Sequence, residues 1–552
     1  MELEEKPTPF RQQSRDRKSS DMKAVGDDPV DDRGKAGRDK KSSNNSSEVV
    51  DIDGSSVTII ENRPFTTFYT QETPQGKAET PETEKWGDFA QNTSLHGFRN
   101  MFFRASLYVR ILWLILLLAS TGLILYFMYR SFSKYFQYPI ATVMRIQYPD
   151  TMVFPAVTLC PMTKFTKNKI FMTDDDVMFQ SLGLDLPVCN ATAHVRKGRP
   201  CGEALLCCCA SYFQDVSVAL SNCTEEYKRE LLDVIMKDKK SFNDKKFQEA
   251  YGPNLQRNLA CRFGLLDYRC SGKDFLPTVT ELGLCFTFNS GRNDKEIKKV
   301  SRSDSARELH LELDLHLDDH LAGFFSEGIF VIIHDQGVYI NSADTVLVAP
   351  GSYVRINVKR KVYRNKKSPY ETKCTETKNL AGFLKYDSDG CYYECLSNTT
   401  GKKCGCRLPS LVDSDRLSER ICFRDDFPCV FKVYEDLVSG NQCECPLACE
   451  VVKYETKTSA AAFPSPLLIK HWKMQGVNKT DDYLRKNLIM LQVGYTSLSY
   501  EHFKQTSQYD STALMGEIGG TLGLFLGCSV LTVIEFIDFA IYLCYIRKKK
   551  TS

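Results

Sequence analysis

Two carboxylates sit inside an apolar run near the end of the chain. Leu514–Ile546 reads LMGEIGGTLGLFLGCSVLTVIEFIDFAIYLCYI, and Glu535 and Asp538, three residues apart, share one helix face. No charge occurs from Ile518 to Val533. About 20 such residues in a helix cross the hydrocarbon layer. A carboxylate facing lipid costs about 3 kcal/mol, so a pair on one face belongs with water or a bundle interior. The bland alternative is an anchor whose acids lie at headgroup level. Gly519, Gly523 and Gly527 recur every four residues, a side-chain-free stripe that lets helices approach closely. Such a helix suits the lining of a cation pathway in an oligomer.

The rest of the chain must position that helix. At 552 residues and net charge +3 it is too long for one small domain and too balanced for a nucleic-acid binder. Of 22 cysteines, none precedes Cys160 and all but Cys528 and Cys544 lie by Cys449. An even set in one central region predicts disulfides in an oxidising compartment. Residues 1–85 have too few apolar side chains for a core and read as a disordered cytoplasmic tail. Residues 86–106 form an interfacial or re-entrant segment before a first membrane span at 107–129, whose only charge is Arg110. The second span is 514–546, and 547–552 form a short basic tail. Arg547, Lys548, Lys549 and Lys550 place the C-terminus in the cytoplasm, and two spans place the N-terminus there too. The expected location is the plasma membrane, in contact with lipid, with 130–513 extracellular. Sequons at Asn190, Asn222, Asn398 and Asn478 agree with that side.

The extracellular part reads as α+β and mainly β. Leu309, Leu311, Leu313, Leu315 and Leu317 alternate with polar residues, a strand with one buried face. His310, Glu312, Asp314 and His316 on the other face suit a divalent cation or simply solvent; the solvated face is the better reading. Short strands are expected around Val153, Val157, Leu284, Gly328, Tyr353, Tyr454 and Ile489, and helices at Glu225–Met236 and near Asp481. The run Cys207-Cys208-Cys209 predicts three separate partners, because adjacent cysteines rarely bond each other. Residues 370–450 hold ten cysteines in an extracellular context without paired CxxC knuckles, which favours five disulfides over zinc. No nucleophile elbow, P-loop, HExxH or dinucleotide fingerprint occurs, so neither an enzyme nor a cofactor or metal site is expected. A cysteine-rich membrane receptor or scaffold is the non-channel alternative.

The ordered motifs carry a resemblance. His96-Gly97, Phe154-Pro-Ala-Val-Thr-Leu-Cys160, Gly283-Leu-Cys-Phe-Thr-Phe-Asn289, Pro369-Tyr370, Cys443-Glu-Cys-Pro-Leu-Ala-Cys449, Gly519-Gly520 and Gly527-Cys528-Ser529 follow the pattern of the degenerin/epithelial sodium channel superfamily across residues 86–546. The resemblance implies a homotrimer around a sodium-selective, amiloride-sensitive pore, with a β-rich core and a cysteine-rich thumb at 370–450. It implies Gly527, Cys528 and Ser529 as the selectivity filter. Glu517, Gly519, Gly520, Gly523, Glu535 and Asp538 then belong to the pore and vestibules, and His96, Gly97 and Ala513 to gating. The implied disulfides are Cys160–Cys285, Cys261–Cys270, Cys374–Cys449, Cys391–Cys445, Cys395–Cys443, Cys404–Cys429 and Cys406–Cys422. Cys189, Cys201, Cys207, Cys208, Cys209 and Cys223 remain, with 15 possible pairings.

Those six cysteines make the outer region similar to the invertebrate neuropeptide-gated branch, so an extracellular amidated neuropeptide is the expected stimulus. Asp174, Asp175, Asp176, Met178 and Phe179 are the expected wall for such a cationic, aromatic peptide. Proton gating is the alternative, weakened because Pro139-Ile140 stand where the acid-sensing branch has a histidine pair; constitutive opening is the third.

Overall fold

The computed structural model describes residues 81–95, 97–103, 106–184, 186–208, 223–237, 244–264, 270–292, 296–301, 308–321, 326–376, 378–408, 422, 426–440 and 443–551. Residues 1–80 of the expected N-terminal tail, His96, Cys209 and Asn222 lie outside the described residues, while residues 81–85, expected to be disordered, open a helix over Pro81–Asn92.

The strands are β1 (Ile140–Gln147), β2 (Thr151–Val153), β3 (Ala156–Pro161), β4 (Leu259–Phe263), β5 (Phe275–Thr280), β6 (Gly283–Phe288), β7 (Lys299–Ser301), β8 (Glu308–Asp314), β9 (Ile329–His334), β10 (Thr345–Val348), β11 (Ser352–Arg364), β12 (Glu450–Ala462) and β13 (Leu488–Ser507). One sheet runs β12-β11-β13-β8-β4, with β1 also on β13; a second runs β10-β9-β3-β6-β5. Both sheets turn their apolar faces into one core, where Leu309, Leu311 and Leu313 meet Leu159, Phe288, Val331 and Ile489. The leucine alternation thus becomes β8, as expected, but it ends at Asp314. His316 adopts φ +50, and Leu317 begins a short 3₁₀ turn.

The helices are α1 (Pro81–Asn92), α2 (Phe98–Phe103), α3 (Leu107–Phe136), α4 (Lys167–Ile170), α5 (Val177–Ser181), α6 (Pro187–Arg196), α7 (Cys201–Cys208), α8 (Glu225–Lys237), α9 (Asp244–Tyr251), α10 (Ser388–Cys404), α11 (Phe427–Gly440), α12 (Pro466–Met474), α13 (Asp481–Asn487), α14 (Ser511–Leu526) and α15 (Val530–Thr551). Helices α4–α9 gather around Ile170, Leu205, Leu206, Leu231, Phe247 and Tyr251. Helices α10 and α11 form the cysteine-rich region.

Disulfides join Cys160–Cys285, Cys261–Cys270, Cys374–Cys449, Cys391–Cys445, Cys395–Cys443, Cys404–Cys429 and Cys406–Cys422. The four-residue spacing of Cys391 and Cys395 puts both thiols on one face of α10, opposite the extended Cys443–Cys445 segment. Cys189–Cys201 and Cys207–Cys223 close loops in the helical cluster, pairings that sequence reasoning left open. Cys208 is bonded as well, with its partner outside the described residues.

Among the described residues one helix, α3, is long and apolar enough to cross a membrane. It continues to Phe136, beyond the expected end at Tyr129, and its last turns carry Ser131 and Lys134. Helices α14 and α15 meet that criterion only as a pair, bent by 75° at 527–529. The stretch expected as the second span, 514–546, is thus two helices around a break.

Candidate ion pathway

β1 starts just after α3, and β13 leads into α14. Their antiparallel register, from Ile140 opposite Ser507 to Gln147 opposite Tyr500, brings the two helices together where they leave the sheet. Phe127 of α3 stacks on Phe525 of α14 at 5.9 Å, and the Lys134 ammonium lies 4.6 Å from the Tyr509 ring. Asp510 caps α14 by accepting the Ala513 N–H at 2.8 Å. Ala513, the expected gating position, is therefore exposed in the first turn.

Glu517 does not stand free of its own chain. Its carboxylate accepts the Tyr509 hydroxyl hydrogen, with Ser131, Lys134 and Arg130 of α3 also bearing on it. Glu517, expected in an outer vestibule, is exposed on α14 beside the end of α3. The Tyr509 hydroxyl holds the Glu517 carboxylate in place, so Tyr509→Phe should shift channel gating in the same direction as Glu517→Gln. Macroscopic activation curves of the two variants test this; a wild-type curve for Tyr509→Phe refutes the shared role.

The glycine stripe faces away from the rest of the chain. Side chains added at Gly516, Gly519 or Gly520 would meet nothing within 4 Å, and at Gly523 only the Cys528 carbonyl at 4.0 Å.

The break has a local cause. Gly527 takes φ +66, a left-handed conformation that ends α14. Its N–H reaches Gly523 O at 3.0 Å, and the Cys528 N–H reaches Leu522 O at 3.3 Å. Ser529 then starts α15: Ser529 Oγ accepts the Thr532 N–H at 3.2 Å, and Thr532 Oγ1 accepts the Ser529 N–H at 3.1 Å. Terminating a helix leaves the carbonyls of its last turn without helical N–H partners. Gly527, Cys528 and Ser529 thus form a short connection beside carbonyl groups able to coordinate a cation.

Sequence reasoning missed what holds this connection. Ser94 Oγ lies 2.6 Å from Thr532 Oγ1, and Glu535 accepts from Ser94 N–H at 3.3 Å and Ser94 O–H at 3.2 Å. Phe89 of α1 stacks on Phe539 at 4.2 Å and meets Phe536 edge-on at 5.0 Å. Asp538, one turn beyond Glu535, is exposed. Gly97 has φ +83, and a Cβ there would approach the Trp113 ring of α3 to 3.0 Å. The only local signals were a serine three residues before Thr532 and the His-Gly pair itself.

The expected peptide wall does not assemble. Arg196, itself buried, captures Asp174, and Phe179 lies 6% exposed in the helical core. Asp175 and Asp176 remain exposed, while Met178 reaches a separate cleft of about 980 Å³. The polar face of β8 is likewise tied to protein groups. Glu308 pairs with Arg355 at 2.5 Å and His310 at 3.5 Å, while Asp314 and His316 bond Tyr483. Among the described residues the one cluster of three metal-ligating groups is Cys406, Cys422 and Asp426, and its cysteines are bonded to each other. Asn190, Asn398 and Asn478 are exposed.

A different cluster joins the cysteine-rich helices to the sheets. Tyr339 donates its hydroxyl hydrogen to Glu281 at 3.1 Å and its N–H to Asp387 at 3.1 Å. Its ring stacks on Tyr393 of α10 at 5.0 Å. Asp387 also caps α10 through the Gly390 N–H at 2.7 Å, and Lys385 pairs with Asp335 at 2.6 Å.

Comparison with known proteins decides the family. The family model described as amiloride-sensitive sodium channel matches residues 89–539. The chain belongs to the amiloride-sensitive sodium channel family. The human bile acid-sensitive ion channel is 28% identical over 464 residues, covering 82% of this chain and 85% of the relative. Human acid-sensing ion channel 2 is 26% identical over 471 residues, covering 82% and 85%. A solved proton-activated chloride channel covers 78% of this chain and 98% of its own, at 7% identity and a TM-score of 0.29, too slight a likeness to inform the fold. The protein is thus a membrane-associated channel of this family, whose members are not enzymes. Its disulfide-rich α+β domain is the family's domain rather than that of a receptor or scaffold.

Proposed function

We propose that the chain forms a homotrimeric, sodium-selective, amiloride-blocked plasma-membrane channel opened by extracellular acid. In this reading α3 and the broken pair α14–α15 span the membrane, both termini are cytoplasmic, and Gly527–Ser529 is the narrowest point. The observation that carries it is the break itself, where an uncharged connection meets free helix-end carbonyls able to replace part of a sodium ion's hydration. The open glycine face of α14 supports close approach of neighbouring copies. Glu535 and Asp538 follow about two turns further along α15, where acidic side chains concentrate cations.

The stimulus follows from which groups can titrate. Burial pushes the His310, His320 and His502 imidazoles down, and His334 down to about 4. His334 therefore stays neutral in mild acid, and burial weakens the other three as proton acceptors. Burial pushes the Glu281 and Asp387 carboxyls up, against hydrogen bonds from Tyr339 to both and from Gly390 to Asp387. Lys164 opposes the rise at Glu281, while Asp389 adds to it at Asp387. A carboxyl with a raised pKa binds more protons in this conformation than when solvated. The joint around Tyr339 therefore gains stability as pH falls through the raised value and loses it as pH rises. Acid favours the docked cysteine-rich helices, and the two relatives named for acid sensing and bile acid sensitivity fit extracellular control.

The test is expression of the chain alone in oocytes, with steps from roughly pH 7.4 to pH 5, then a panel of amidated neuropeptides, then amiloride. An amiloride-blocked inward sodium current evoked by acid supports the reading. Current evoked only by a peptide, or a standing current indifferent to pH, overturns it. Glu281→Gln, which holds that site in its neutral form, should move half-activation to higher pH and flatten the response. A profile superimposable on wild type removes Glu281 from sensing.

A further inference from the structure

The connection at 527–529 is oriented by a chain of hydrogen bonds that ends outside it. Thr532 is fully buried and occupies the third position of α15, where a capping partner for Ser529 is needed. A hydroxyl has one hydrogen to donate and two lone pairs. With Glu535 as a carboxylate, it only accepts, so the Ser94 O–H at 3.2 Å points to it. Ser94 Oγ must then accept the Thr532 hydroxyl hydrogen across 2.6 Å. That leaves Thr532 Oγ1 as acceptor for the Ser529 N–H at 3.1 Å. This direction satisfies every member: Ser529 N–H to Thr532, Thr532 to Ser94, Ser94 to Glu535, with the Ser529 hydroxyl also within 3.2 Å of Thr532 Oγ1. The Ser94 N–H reinforces the last link at 3.3 Å. Phe89, stacked on Phe539, fixes the segment that carries Ser94.

We propose that Thr532 is a positioning residue for ion selection, setting the Ser529 backbone through this chain. The segment before the first helix thereby sets the geometry of the connection, and Glu535 acts as its terminal acceptor as well as a charge. The proposal rests on the reading of Gly527–Ser529 as the selective constriction. A valine in place of Thr532 keeps the shape but removes the hydroxyl.

The measurement is the sodium-to-potassium permeability ratio from bi-ionic reversal potentials, with surface protein quantified by biotinylation. Leaving the Ser529 N–H unpaired should lower the ratio about fivefold or more in Thr532→Val, while Thr532→Ser restores it to within about twofold of wild type. Ser94→Ala should lower it at least about twofold and add nothing in the Thr532→Val background, because both act on one chain. A wild-type ratio in Thr532→Val, or effects of the two changes that multiply, overturns the proposal. Should Thr532→Val fail to reach the surface, Ser94→Ala decides: a lowered ratio supports the chain and an unchanged one overturns it. Ser529→Leu separates the two levels. If it alters the ratio and Thr532→Val does not, this proposal alone fails; if neither does, the constriction itself is misplaced.

Discussion

Gly97→Ser channels should reach the cell surface in normal amounts yet open roughly tenfold less often than wild type. Gly97 holds φ +83, where an L-residue is strained by about 1–2 kcal/mol. The new Cβ would also press on the Trp113 ring at 3.0 Å, tighter than ordinary contact. The Trp113 ring belongs to α3 and is half-buried there. The strain falls only on conformations in which the pre-helix segment is seated against α3, so it shifts the balance among conformations. Single-channel open probability with parallel surface biotinylation measures it. Wild-type open probability at wild-type abundance shows that the seating does not govern opening.

Ser529→Leu should abolish sodium selectivity or the current. It deletes the side chain that caps α15, a loss of about 1 kcal/mol in local helix stability, and puts a branched side chain beside Thr532 and the Gly527 turn. Each tenfold loss of selectivity moves a bi-ionic reversal potential by about 59 mV. An unchanged reversal potential together with unchanged conductance would place the constriction elsewhere and leave Cys528 as a small residue in a helix break.

How much of this was legible in the chain depends on the range of the cause. Strict alternation at Leu309, Leu311 and Leu313 fixes a half-buried strand because side-chain direction has period two, and β8 has that face. Its end was not legible, since Leu315 and Leu317 continue the pattern while His316 turns left-handed. The stripe Gly519, Gly523 and Gly527 read as a packing surface, and two of its members do lie on an open face. The third instead ends the helix, a use that the following serine and Thr532 disclose only when the chain is read as a start signal after a stop. The acid run Asp174–Asp176 looked like a free surface because Arg196, the partner of Asp174, lies 22 residues away at the end of α6. Ser94 and Thr532 are 438 residues apart, and Trp113 meets Gly97 from a different helix; no periodicity encodes such meetings.

β13 runs twenty residues from α13 toward α14, with β11 beside it almost throughout. Its upper half is flanked by β8 and its lower half by β1. A paired strand cannot slide by one position without turning its apolar side chains outward, so each half moves as a rigid rod. The pairing with β11 loses step once, where β13 advances from Tyr495 to Tyr500 while β11 advances only from Val358 to Arg360. Residues 496–499 are thus the one stretch of β13 where its pairing with β11 does not hold the two halves in step, and any bend between the sheet's two ends is accommodated there most easily.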